Sequence, residues 1–185
     1  MANNCYNYTK VYGKKEVLDK IEEKFNKYKD HDYLVLWGDM VLNKEVERNI
    51  KDDYNYYNTR WWDFSIERDD DESMTISGDS AWSPPLQLLQ ELTEVYDVVV
   101  EGSYEEPGMD FAGDYKCEKG EIEDNEMTCW EYRLKEDRQY AIECLLEDIE
   151  FCDWEFDTQD YQGLTSKEID YIEEQIKTNR DENNT

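Results

Sequence analysis

The sequence predicts an α+β fold, an antiparallel sheet with two helices on one face, followed by a mostly helical acidic extension. Three observations predict it. Apolar and polar residues alternate over residues 61–80 around an Asp-rich turn, the pattern of a β-hairpin. Apolar residues at helical spacing recur before and after that hairpin. Past about residue 125 the strand signals stop, and the chain becomes acidic with helical periodicity.

Residues 4–12 are rich in Tyr, Thr and Val and read as a strand that Gly13 ends. Val17, Leu18, Ile21, Phe25 and Tyr28 then fall on one helical face from about Lys14 to Lys29. Leu34–Trp37 is a short apolar run, and Val41, Leu42 and Val46 suggest a short helix within 39–58. Trp62, Phe64 and Ile66 alternate with polar partners, Asp69–Glu72 turns the chain, and Met74, Ile76 and Gly78 return it. The Asp run lacks the ligand spacing of a calcium loop, so it reads as a solvated hairpin tip. Ser83-Pro84-Pro85 reads as a helix start, with Ser83 as cap and proline in the first turn. Leu86, Leu89, Leu92 and Tyr96 line the face of that helix, widened by Leu88 and Val95.

Val98–Tyr104 is a strand, broken by Glu105-Glu106-Pro107-Gly108, where Gly108 is expected to supply a positive φ. Residues 111–118 resume as a strand that turns at Lys119-Gly120. The order through residue 104 is strand, helix, strand, strand, helix, strand. That is the split βαβ, or ferredoxin-like, plan, and the strand after Gly108 extends its edge. The reading gives a ferredoxin-like domain over 1–123 and an acidic helical extension over 124–185 packed on it. In the extension, residues 134–152 have helical periodicity. Thr165 and Glu168 form a capping box for a last helix carrying Ile169, Ile172 and Ile176, and the tail from Thr178 should fray. The extension has enough apolar side chains to dock, but not to fold alone.

Composition narrows the function classes. The net charge is −28, from 20 basic and 48 acidic residues. Residues 1–50 carry nine of each sign, so the whole excess lies after residue 50. Such a surface repels DNA and anionic membranes and attracts basic proteins or cations. A charge this high with 38% hydrophobic residues borders on a disordered composition. Six Trp, fifteen Tyr and five Phe argue against disorder, because each buries roughly 150–250 Å² in a core. The five cysteines form no CxxC pair, so free thiols and a reducing cytoplasm are expected. Met1–Lys10 is polar and no apolar run approaches ~18 residues, so neither secretion nor membrane insertion is expected. One histidine, His31, leaves almost no material for a zinc site or a His-based dyad, and no cofactor is expected.

Two sites stand out. Glu105, Glu106, Asp110 and Asp114 surround Pro107-Gly108. Paired carboxylates could serve acid–base chemistry or hold the metal of a hydrolase, or they could simply face water around a turn. The second is the acidic stretch Glu136, Asp137, Glu143, Glu147, Asp148, Glu150, Asp153, Glu155 and Asp157. Like charges at helical spacing cost a few tenths of a kcal/mol per pair, a cost that a basic partner would offset. A carboxylate array of this density can occupy a DNA-binding groove, while plain solubility is the simpler account. Trp61, Trp62 and Trp82 could stack on a nucleobase, but core packing is the expectation beside so much negative charge.

Several segments carry a resemblance. Met1–Asn7, Trp61-Trp62-Asp63, Thr75-Ile76-Ser77 leading into Ala81-Trp82-Ser83-Pro84-Pro85, and Tyr104–Gly113 resemble the YubB-like family. The resemblance covers about residues 1–123. It implies a ferredoxin-like domain and an accessory role on plasmids or phages, without a defined activity. Read together, these features suggest a non-enzymatic nucleic-acid mimic that inhibits a host defence nuclease of CRISPR or restriction type. The alternative is a metal-dependent hydrolase or cation-binding protein using the Glu105/Glu106/Asp110 cluster.

Overall fold

The computed structural model describes residues 3–28, 59, 62–152, 156–157 and 161–183. The expected run Leu34–Trp37, the short helix within 39–58, and His31, Trp61, Asp153 and Glu155 lie outside the described residues. The chain divides into two compact units, residues 1–126 and 127–185.

The first unit follows the predicted order through its fifth strand, β1 (Asn4–Tyr12), α1 (Lys15–Tyr28), β2 (Trp62–Arg68), β3 (Ser73–Ala81), α2 (Leu86–Tyr96), β4 (Val99–Glu106) and β5 (Phe111–Glu118), and adds a strand that was not expected, β6 (Glu121–Met127). The strands form one sheet in the order β2-β3-β1-β4-β5-β6. Its first four positions are the arrangement a split βαβ pair requires, with β1 antiparallel to both β3 and β4. The expected 123/124 boundary falls inside β6.

Strand alternation separates the two faces of the sheet. On β1, Cys5, Asn7, Thr9 and Val11 are buried, while Tyr6, Tyr8 and Tyr12 are exposed. Register places Val11 opposite Met74 on one side and Val100 on the other. Leu18, Ile21 and Phe25 of α1 and Leu88, Leu89 and Leu92 of α2 share one buried cluster with these three. Both helices therefore cover the same face. Each fully buried aliphatic or aromatic side chain contributes ~1.5–3 kcal/mol.

Hydrogen bonds hold the polar part of this core. Thr9 and Tyr115 pair their hydroxyls at 2.6 Å. Opposite Thr9, Gly102 leaves room for both, since a Cβ there would run into the Tyr8 carbonyl. Burial pushes the Tyr115 hydroxyl pKa up, and the Cys117 thiol up to about 12. The Lys119-Gly120 turn has both residues at positive φ, the geometry of a two-residue hairpin. Its Gly120 N–H donates to the Thr93 hydroxyl of α2 at 2.9 Å.

Two local expectations are corrected. Ser83 does not cap α2, which starts at Leu86 with Pro85 as N-cap and no side-chain cap. A residue before proline is held out of the helical region, so the double proline delays the start. Val95 does not join the buried face and is 43% exposed. The helix instead turns Glu91 and Thr93 inward.

The second unit contains α3 (Cys129–Glu136), α4 (Arg138–Cys152) and α5 (Ser166–Asn183). The single helical stretch expected over 134–152 is two helices. Asp137 separates them, and its carboxylate accepts the Tyr140 N–H at 3.0 Å to start α4. Thr128 and Glu131 form a complete capping box on α3. The expected Thr165–Glu168 box is partly present, with Glu168 accepting both the Thr165 N–H (2.6 Å) and its hydroxyl (2.7 Å). The helix that follows continues past Thr178 to Asn183. Ile142, Leu145, Ile149 and Ile172 form the unit's own core, with Trp130, Phe156 and Tyr161 packed against it. Among the described residues no helix is long and apolar enough to cross a membrane.

Candidate functional site

The carboxylates around Pro107-Gly108 are placed by the β4–β5 hairpin, where Glu106 pairs with Phe111 and four residues close the loop. Alternation along β4 sends Glu105 and Glu106 to opposite faces. Glu106 is fully buried, and its Oε2 accepts the Met109 N–H, so this acid braces the turn from inside. Glu105 lies on the open face, opposite Tyr6 and Ala112. Asp110 is exposed at the end of the loop. Asp114 is on the open face and accepts from the Asn125 amide at 3.1 Å. The four acids do not converge. Among the described residues, no group of three or more His, Cys, Asp or Glu side chains is placed to hold a metal ion.

The positive φ expected at Gly108 is found instead at Asp110, φ 55°. A short polar side chain tolerates the left-handed region. Gly108 lies in a tight place, where a Cβ would stand 2.6 Å from Asn3 Nδ2, a side-chain end that can shift, and 3.1 Å from Glu106 Oε1.

The Asp run at the β2–β3 tip is bound to its own chain. Thr75 Oγ1 donates to Asp69 at 2.9 Å. Asp70 accepts the Glu72 N–H at 2.8 Å and the Ser73 hydroxyl at 3.0 Å, which lowers its pKa. Asp71 takes the Lys15 ammonium at 2.6 Å. These contacts fit a hairpin tip.

The acidic stretch of the second unit points largely outward. Ile142, Leu145 and Ile149 turn one face of α4 into the core. Glu143, Glu147 and Asp148 are exposed on the rest of that helix, as are Glu136, Asp137 and Asp157 outside it. Two of these acids also act locally: Asp137 caps α4, and Glu143 accepts from Gln139 at 2.9 Å. Glu150 is on α4 at a position one turn beyond Glu147. Of the nearby basic residues, Arg138 is held by Glu168 at 2.6 and 2.7 Å and donates to the Gly163 carbonyl at 2.6 Å.

Trp82 is half-buried and in the left-handed region, φ 66°, with its N–H on the Asn3 carbonyl at 3.0 Å. Its position at the end of β3 favours a structural role.

Sequence reasoning missed the open face of the sheet. Tyr6, Tyr8 and Tyr12 stand 52%, 50% and 37% exposed along a strand with neighbours on both sides. Their spacing of two and four residues was the available signal, since it puts all three on one face. The Tyr12 hydroxyl donates to Glu101, and that carboxylate raises its pKa.

Residues 61–146 match a family model described as a ferredoxin-like domain in Api92-like protein. The match spans the second strand through Leu146 of α4, and with the strand order it shows the ferredoxin-like fold. The crystal structure of a protein Api92 from Yersinia pseudotuberculosis is similar at 23% identity and a TM-score of 0.39, covering 49% of this chain. The match takes in 33% of the length of that protein. No curated protein matches the chain.

Proposed function

We propose that the protein is a non-enzymatic acidic binding protein that presents carboxylates to a basic, nucleic-acid-handling partner. The observation that carries the reading is the outer surface of α4. From Glu143 to Glu150 the helix carries four acids, Glu143, Glu147, Asp148 and Glu150. At ~1.5 Å rise per residue they occupy roughly 10 Å, or about one charge per 3.5 Å of axis. One strand of B-DNA shows one per ~3.4 Å, so a groove built for phosphates would meet a similar charge density along the axis. The apolar face of the same helix is committed to the core, and Glu143, Glu147 and Asp148 are exposed. With the plasmid and phage resemblance, the sharpest form of the reading is an inhibitor of a host defence nuclease that occupies its nucleic-acid groove.

The test is capture of partners from host lysate at low and high salt, followed by competition with duplex DNA and with RNA. A basic partner displaced by nucleic acid, released by salt, and lost with Glu143→Lys/Glu147→Lys/Asp148→Lys is the expected result. Binding indifferent to salt and to these three substitutions would leave the charge as a solubility device.

A further inference from the structure

We propose that the open face of the sheet is a second binding surface, and that its ligand is an extended arginine-rich segment of a protein. The proposal shares the basic partner of the preceding section but uses another surface, so the two can fail separately.

The centre of the surface is Tyr6. Register places Asp79 of β3 opposite it on one side and Glu105 of β4 on the other. Paired residues in an antiparallel sheet have Cα atoms ~4.5–5.5 Å apart, so the two acids flank the ring, Asp79 while accepting from the Asn4 amide at 3.2 Å. A guanidinium stacked on the ring would reach both acids. Arginine suits this better than lysine, because its planar group stacks on an aromatic face and is weakly hydrated.

The next residue on the face, Tyr8, has Ser77 and Ser103 as its opposite partners. These short side chains leave the ring open from both sides. Tyr6 and Tyr8 are two strand residues apart, ~7 Å, which is also the spacing of alternate side chains in an extended peptide. An extended segment could therefore set alternate arginines on successive rings.

Charge selects the same class of ligand. On this face the register places two cations, Lys10 of β1, which lies 4.0 Å from Asp69, and Lys116 of β5, opposite Glu101, among the acids Asp79, Glu101, Glu105 and Asp114. Glu101 stands opposite Lys10 and next to Tyr12 in the β4 register. Exposed aromatics can also stack on single-stranded nucleic acid, but phosphates would meet Asp79, Glu101 and Glu105 here. High strand propensity accounts for a tyrosine in β1. It does not account for two half-exposed rings, Tyr6 between acids and Tyr8 between serines, on one face.

The experiment uses the full chain and two peptides of equal length, oligoarginine and oligolysine, with affinities from titration calorimetry. The wild type should bind oligoarginine more tightly. Tyr6→Thr/Tyr8→Thr should lower the oligoarginine affinity about tenfold while changing that of oligolysine little, as loss of two exposed cation–π contacts implies. Tyr6→Phe/Tyr8→Phe should retain the preference. Asp79→Asn/Glu105→Gln, which leaves both rings in place, should reduce it even if the threonine variant fails to fold. Charge reversal on α4 should weaken both peptides alike and keep their ratio. Equal affinity for the two peptides would overturn the proposal. So would a preference untouched by the tyrosine or cradle substitutions, one abolished by α4 reversal alone, or tighter binding of a single-stranded oligonucleotide.

Discussion

The two units of this chain are held together by different means. In the sheet unit, twelve residues of the core cluster, among them Leu18, Phe25, Ile76 and Leu92, are at most 1% exposed, and strand register sets which strand residues meet. Among the described residues of the helical unit, Ala141 and Ile172 reach that level, while Ile142, Leu145 and Ile149 retain 4–7% exposure. Its shape depends on polar anchors: the Thr128–Glu131 capping box, the Trp130 Nε1 bond to the Gln162 carbonyl at 2.9 Å, and Arg138 on Glu168. A segment so rich in carboxylates has few apolar side chains to bury, and caps and ion pairs must define where its helices begin and turn. The sheet unit should accordingly respond to core volume, and the helical unit to pH.

The largest expected effect tests the first half of that contrast. Phe25 is 1% exposed and meets Phe64 edge to face at 5.0 Å. Phe25→Ala removes the ring contact and leaves a cavity between α1 and the sheet, at a cost of about 3–5 kcal/mol. Urea unfolding followed by hydrogen exchange at the β1 amides measures it. A loss below about 1 kcal/mol would mean that apolar packing is not what holds this unit.

The second prediction tests the other half. Glu168 accepts two bonds from Arg138 and caps Thr165, which holds its carboxyl at about 2 against an ordinary 4.5. A depressed folded pKa stabilises above the unfolded value, and that stability is lost as pH falls from 4.5 through 2. Arg138 is 41% exposed and Glu168 21%, so solvent screening limits the pair and cap together to about 1–2 kcal/mol. Acid also relieves the repulsion within a −28 chain, which acts in the opposite direction. The informative quantity is therefore the difference between wild type and Glu168→Gln, followed at the α5 amides. The variant should be less stable at neutral pH, and the gap should close as pH falls below 4.5. A gap independent of pH would remove the ion pair as the anchor.

The same contrast explains what the sequence disclosed. The β2–β3 hairpin was legible because Trp62, Phe64 and Ile66 alternate against polar partners, and one-sided burial writes that pattern. β6 was not, because it is an edge strand with Ile122 and Met127 as its only apolar residues, so no alternation remains to be read. Its outward acids suit an edge that must not pair with another chain. The break between α3 and α4 left a polar mark, Asp137 as a cap, which apolar periodicity does not register. The carboxylate cluster looked coherent because its members are close in sequence. Neighbouring residues on a strand face opposite ways, so Glu105 and Glu106 could not act together while both stayed in β4.

The smallest expected effect follows from that divergence and concerns the hydrolase or cation-binding alternative. Mg²⁺, Mn²⁺ and Ca²⁺ will all screen so acidic a chain, and a gradual rise in melting temperature with any of them is non-specific. A true site would instead give a saturable rise at low millimolar concentration, through binding to the folded state alone. Asp110→Asn separates the two. Asparagine tolerates the left-handed φ of 55° found at this position, so the loop should survive the change, while a carboxylate ligand is lost. With Glu106 turned into the core, Glu105 on the open face and Asp110 exposed at the loop, wild type and variant should respond alike to each cation. A saturable rise in the wild type that Asp110→Asn abolishes would show that the loop gathers these acids around a metal, and would favour a metal-dependent reading of the β4–β5 hairpin.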